Sequence, residues 1–281
     1  MGELPSSSQE EVKQRKDCKW VPYDELAQIP EKIRQDANTF VALDDRRKAL
    51  MMRDALLIAW LTVLPWRQRN LRECRVMPTA DGGNLFHEEI PPHSPISKPK
   101  WAEEAFRANP RQRFWQFYFR APETKTARGV RGILPRQLVP VLEEYLGRYR
   151  QILLDGRPDP MTLFLSNRGY SLCASGFGRL VESITLKYAG RRVNPHLMRD
   201  IFTVQYLQER PEDVLTASKA LWHKNIQTTL GVYGVGFDES HAARRIGEWL
   251  EQRRESGSSD STKDSTPRNQ SPGNPGSGRE P

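Results

Sequence analysis

The sequence predicts a mainly helical fold carrying one small antiparallel β-sheet, an α+β arrangement, on three observations. Apolar residues recur at three- and four-residue intervals through most of 43–250; one aromatic, strand-like segment followed by turn residues interrupts that pattern; and no aliphatic or aromatic side chain occurs after Leu250. The folded unit is therefore expected over 43–250. A leader of 1–42 precedes it and a tail of 251–281 follows.

The leader is polar with a few anchors, Trp20, Tyr23, Leu26 and Ile29, and reads as extended chain with one short helix. "LDDRRKALMMRDALLIAWLTVL" opens on acidic capping candidates and places Leu50, Asp54/Leu57, Ile58 and Leu61 along one stripe until Pro65 ends the helix. Residues 77–112, with "DGG", "PPHSP" and "ANP", read as a long loop holding a short helix from Trp101 to Phe106. "RFWQFYFR" (113–120) and "VRGILP" (130–135) read as a β-hairpin with Lys125 near its tip. "RQLVPVLEEYLGRYRQILL" is helical, with Val139, Leu142, Tyr145, Leu146, Tyr149 and Leu153 on one face. Gly190 closes the next helix, and Asn194 with Pro195 opens another as N-cap and first helical residue. Helices at about 211–222 and 226–233 follow, then an amphipathic one, "ESHAARRIGEWLEQRR", whose Ala242, Ile246, Trp249 and Leu250 share a face. The Ser-, Gly- and Pro-rich remainder cannot bury enough apolar surface to offset the entropy of ordering it.

Charge narrows the partner. Of 281 residues, 43 are Lys or Arg and 35 Asp or Glu, a net +8, and the tail from Glu251 carries five of each sign. The excess therefore lies in the folded part, which suits a polyanion, with nucleic acid the commonest case. The longest apolar run, "ALLIAWLTVLPW", falls short of the roughly 20 residues that cross a bilayer, and the N-terminus has no apolar core for a signal peptide. The cytoplasm or nucleoid is the expected compartment. Three dispersed cysteines, Cys18, Cys74 and Cys173, give neither a disulfide framework nor a zinc site.

Four places carry candidate chemistry. His196 and Arg199, three apart in the first turns of a helix, share a face and are expected to point outward at the end where backbone N–H groups and the macrodipole favour phosphate. The plain alternative is that Arg199 pairs with Asp200 or another carboxylate. Arg67 is the first cation after Pro65, with Arg69 the fallback; a solvated basic patch explains both equally well. Lys125 sits in a loop of the kind that carries a charge to a bound substrate, though most hairpin lysines serve solubility. "LWHKNIQTTLGVYG" sets His223 ten residues before Tyr233, and a buried tyrosine needs no chemistry.

In chain order, Arg67, Lys125, His196-x-x-Arg199, His223 and Tyr233 resemble the tyrosine recombinase (phage integrase) family, whose catalytic core is shared with type IB topoisomerases. The resemblance covers about 44–250. Its most specific parts are "NPHLMRD" and "LWHKNIQTTLGVYG", supported by the hairpin "YFRAPETKTARGVRGILP" and the strand-turn "LFLSNRGYSL".

The resemblance implies strand cleavage and rejoining through a covalent 3′-phosphotyrosine on Tyr233, serving DNA integration, excision or resolution of a mobile element. Arg67 and Arg199 would hold the phosphate, His196 take the phenolic proton, Lys125 supply the leaving oxygen's proton, and His223 hydrogen-bond a nonbridging oxygen. No metal or cofactor is implied. The partners are double-stranded DNA, further copies of the chain as a tetramer on it, and a partner recombinase subunit or accessory protein. The pattern departs from the family at Pro65, where a glycine is common, at Asn70, where an acid is common, and at Trp222, which replaces the glycine before the histidine. Residues 1–42 are also too short for the helical core-binding domain such recombinases carry, so activity is expected to be reduced or to need a partner chain. A decayed, non-catalytic DNA-binding relative is the alternative, and a metal nuclease built on His87 and His93 is a third class.

Overall fold

The computed structural model describes residues 18–39 and 44–233 and scattered helical positions between 243 and 251; of 231–233 it describes the backbone alone. The chain divides into two units, 1–235 and 236–281. In the second, Arg244 pairs with Glu248 one helical turn on; of the apolar face expected there, Ile246 and Leu250 are exposed, while Ala242, Trp249 and the tail after Glu251 lie outside the described residues.

The first unit is a helical body with a three-stranded sheet at its side. Helix α1 (Tyr23–Thr39) buries Leu26, Ile29, Ile33 and Ala37 in the main core despite Pro30 in its middle. The one helix expected in the leader is thus longer than the short one read there, 17 residues, and belongs to the body. Its spacing of three and four residues is the amphipathic pattern, and burial against α2 outweighs the roughly 3 kcal/mol that an interior proline costs. Helix α2 (Asp45–Val63) begins where the Asp44 carboxylate accepts from the Arg47 N–H at 2.7 Å, and is buried almost all round, from Leu56 to Leu61. It is followed by the short α3 (Gln68–Arg72).

The segment expected as a loop with one short helix contains that helix, α4 (Lys100–Ala108), and in addition strand β1 (Leu85–Glu89). Strands β2 (Arg113–Phe119) and β3 (Val130–Ile133) form the expected hairpin, and β1 adds antiparallel to the outside of β2 with Leu85 opposite Phe117. "LFHEE" gave no strand signal because it shows no apolar/polar alternation; its partner 28 residues away makes it a strand. A satellite core of Ile90, Ile96, Ala102, Phe114 and Ile133 sits between α4 and the sheet.

The next helical stretch runs as α5 (Val139–Glu144), a π turn (Tyr145–Tyr149) and α6 (Arg150–Leu154). Leu142, Tyr145, Tyr149 and Leu153 of the predicted face are buried. "LFLSNRGYSL" forms a turn closed by one bridge, Leu165 to Ser171. Helix α7 (Ala174–Ala189) ends at Gly190, whose φ of 68° is the left-handed cap that glycine adopts without strain. Helices α8 (Pro195–Glu209), α9 (Val214–Ala220) and α10 (Ile226–Tyr233) complete the unit. No described helix is long and apolar enough to cross a membrane.

Candidate active site

The site is built on a tryptophan. After Pro65 stops α2, Trp66 is driven fully into the core, with its ring 5.0 Å from both Phe117 and Phe119, 5.2 Å from Trp60 and 5.6 Å from Trp222. That anchor fixes the next residue, Arg67, half-buried as the N-cap of α3. Arg69 is exposed and bound to Glu73 at 3.0 Å, so it is the less enclosed of the two.

Helix α8 begins as its sequence requires: the Asn194 side chain accepts from the Leu197 N–H at 2.9 Å, and Pro195 follows. His196 is exposed. Arg199 is not: it is only 4% accessible, turned inward, and donates to the backbone carbonyls of Pro65 and Leu221. The expectation that both point outward is corrected for Arg199. Three places are thereby tied together: Arg199 itself, Pro65 two residues before Arg67, and Leu221 two residues before His223.

His223 follows a strained link. Trp222 has φ 53°, a conformation that glycine adopts freely and a bulky side chain does not, which accounts physically for a glycine being common there. In this chain the indole is 7% accessible and lies 5.3 Å from Phe119 as well as against Trp66, so aromatic burial offsets the strain. The His223 ring is held at both nitrogens, Nδ1 at 3.0 Å from Thr229 Oγ1 and Nε2 at 3.4 Å from Arg199 Nη2. Burial, then the charges of Arg199 and Arg67, pull its pKa down to about 4 from the usual 6.5. The imidazole is neutral at pH 7. An NMR titration should place its midpoint well below that of an exposed histidine, and Arg67→Gln should raise it. Because the unfolded chain protonates this ring first, its contribution disfavours the native state as pH falls from 6.5 towards 4 and is absent above.

Lys125 is exposed in the connection between β2 and β3. That connection is a hydrogen-bonded turn. The Asn70 amide, buried beside Arg67, donates to the Glu123 carbonyl at 2.9 Å; the Glu123 carboxylate accepts from the Arg120 N–H at 2.6 Å and from Asn84 Nδ2 at 3.1 Å. The Thr124 hydroxyl donates to the Arg128 carbonyl at 2.8 Å and accepts its N–H at 3.1 Å. Asn70, a departure from the family pattern, is thus a donor that holds the lysine's turn. Asn70→Asp would set a carboxylate against that carbonyl; a loss of about 1–3 kcal/mol in urea denaturation is expected, with faster amide exchange at 123–128.

Arg67, Lys125, His196, Arg199 and His223 line one open groove of about 1010 Å³. Arg69, Arg72 and Lys224 add cations to its wall, against the single carboxylate of Asp200 among the described residues. Such a surface attracts a polyanion and holds individual phosphates through guanidinium forks. Tyr233 is the last residue of α10; its side chain lies outside the described atoms, so its predicted role stands on sequence alone. The sequence reading missed Thr229, whose only signal was a threonine in a helix expected to carry the tyrosine. His87, a candidate ligand for a metal nuclease, stacks on Trp115 at 5.2 Å, and no group of three or more His, Cys, Asp and Glu suited to an ion occurs among the described residues.

The fold of this helical body with its side sheet is similar to that of a solved site-specific recombinase. Among solved structures, the chain is similar to XerH site-specific recombinase bound to its difH substrate in a pre-cleavage complex, at 16% identity and a TM-score of 0.51, over 82% of this chain and 54% of XerH. It spans about half the length of that protein. XerA recombinase gives 16% identity and a TM-score of 0.47 over 82% of this chain and 62% of its own. Tn1549 transposon integrase in complex with transposon right-end DNA gives 16% and 0.42 over 77% and 64%. No protein-family model matches the chain, and no curated protein sequence does.

Proposed function

We propose that the chain is the catalytic part of a tyrosine-type site-specific recombinase or integrase that cuts and rejoins double-stranded DNA through a phosphotyrosine on Tyr233. The observation that carries this reading is the convergence of Arg67, Lys125, His196, Arg199 and His223, from segments up to 156 residues apart in sequence, on one cationic groove.

In this reading Arg67 and Arg199 take the two nonbridging oxygens of the scissile phosphate and neutralise the charge that grows on them in the transition state. The Tyr233 oxygen forms a bond to phosphorus as the bond from phosphorus to the 5′ oxygen breaks. The phenolic proton passes to His196, and the Lys125 ammonium gives a proton to the departing 5′ oxygen, leaving a free 5′-hydroxyl. A phenol with a pKa near 10 needs both the cationic clamp and the base to act at neutral pH. Return of a 5′-hydroxyl to the phosphotyrosine reverses each transfer and seals a strand. The domain would work as a homo-oligomer on DNA, a tetramer in the complete reaction, with a partner recombinase subunit or accessory protein completing the grip on the duplex.

The test uses a pool of duplexes with fixed arms, a randomised centre and a nick placed so that the cleaved fragment diffuses away. A protein–DNA adduct that survives denaturing electrophoresis is expected from the wild type and is lost in Tyr233→Phe. An adduct that persists in Tyr233→Phe would overturn the assignment of the nucleophile; DNA binding with no adduct at any salt concentration or with any added subunit would favour the non-catalytic DNA-binding reading.

A further inference from the structure

The hydrogen bonds at His223 determine which of its nitrogens carries the proton. A guanidinium has donors only and stays charged at any ordinary pH, so the 3.4 Å contact from Arg199 Nη2 makes Nε2 an acceptor. A neutral imidazole has one N–H, which must then be on Nδ1, donating to Thr229 Oγ1 at 3.0 Å. Nε2 is the nitrogen next to Arg199, which lines the groove with His223, whereas Thr229 is fully buried and holds the other nitrogen. In this state His223 has no proton to offer an anion in the groove.

We propose that Thr229 is a positioning residue that sets the tautomer of His223 and, by reversing its own hydroxyl, lets Nε2 change from acceptor to donor when a phosphate replaces Arg199 as its neighbour. The change conserves charge in two transfers: a solvent proton from the groove binds Nε2 to give the imidazolium, which still donates from Nδ1 to Thr229 Oγ1, and release of the Nδ1 proton to water then leaves the neutral Nε2–H form, with the Thr229 O–H turned to donate into the freed Nδ1 lone pair. A hydroxyl is both donor and acceptor, so it supports either tautomer and the imidazolium between them. An isosteric valine supports none of them. Thr229 also lies four residues before Tyr233 on α10, about one helical turn, so the ring is fastened to the helix that ends in the proposed nucleophile.

The inference deepens the strand-transfer reading, and its first test does not depend on it. The full chain, labelled with nitrogen-15 at its five histidines, is observed without DNA, and His223 is assigned from a His223→Asn sample. The wild type should show Nδ1 protonated and Nε2 bare; a short DNA duplex should convert Nε2 to its protonated form. Thr229→Ser should keep both states, and Thr229→Val should lose the single free tautomer and the conversion. A folded Thr229→Val protein with the wild-type tautomer and the wild-type response overturns the proposal. In the second test, adduct formation should slow at least about tenfold in Thr229→Val, the scale on which an orienting partner of a functional histidine acts, and recover in Thr229→Ser. Wild-type cleavage by Thr229→Val also overturns it. Absence of adduct from the wild type, with the tautomer behaving as stated, would instead reject the strand-transfer reading.

Discussion

Arg199→Lys is expected to slow covalent adduct formation by at least about a hundredfold while leaving a folded protein, the range seen when one preorganised transition-state donor is removed. Lysine keeps the charge and loses the planar fork, so it cannot serve a carbonyl on each side and a phosphate oxygen together. Arg199→Ala should do more. The Pro65 and Leu221 carbonyls, both on buried residues, would lose charged donors, and each orphaned acceptor costs about 1–3 kcal/mol. A drop of roughly 2–5 kcal/mol in urea denaturation, together with loss of adduct, is the expected pair of results. Full stability in Arg199→Ala would show that the guanidinium is not the strut joining α2, α8 and the segment after α9. In either variant the removal or displacement of a neighbouring cation should also raise the pKa of His223.

Trp222→Gly carries the second large effect, and two opposing quantities decide its sign. Glycine would relieve a left-handed backbone that costs a bulky residue about 1–2 kcal/mol. It would also remove an indole packed on Trp66 and Phe119, and truncating a buried tryptophan costs about 3–5 kcal/mol. Packing prevails, so the variant should be less stable by about 1–4 kcal/mol even though glycine suits the backbone at this position better. Trp222→Ala keeps the strain in smaller degree and loses the same ring, and should be no more stable than Trp222→Gly. Thermal unfolding of the pair reads this ordering directly; greater stability in Trp222→Gly than in the wild type would show that strain outweighs the aromatic cluster.

What was legible in the sequence was whatever local chemistry determines. Asp44, Asn194 with Pro195, and Gly190 announced helix ends because caps act within three residues, and the β2–β3 hairpin showed in its aromatic run and turn residues. The order of the candidate residues was legible only through likeness to a family; nothing in their spacing says that Arg67 and Arg199 approach the same histidine. What stayed hidden depended on distant partners. β1 exists through pairing with β2, α1 is a core helix in spite of Pro30, and Arg199 turns inward because two carbonyls from other segments meet it. The positive φ at Trp222 contradicts its propensity and is held by rings from elsewhere in the chain.

The bracing of the Lys125 turn bears on which changes in length the domain would accept. Glu123 and Thr124 are pinned at one side and Arg128 at the other, so the lysine hangs from a short span of chain between two moorings. Inserting a residue within that span would lengthen the arm and displace its charged end. The same insertion at 109–112, across the sheet and away from the groove, would leave the arm's dimensions untouched. Tolerance to insertion and deletion is therefore lopsided: generous at one end of β2 and close to nil at the other.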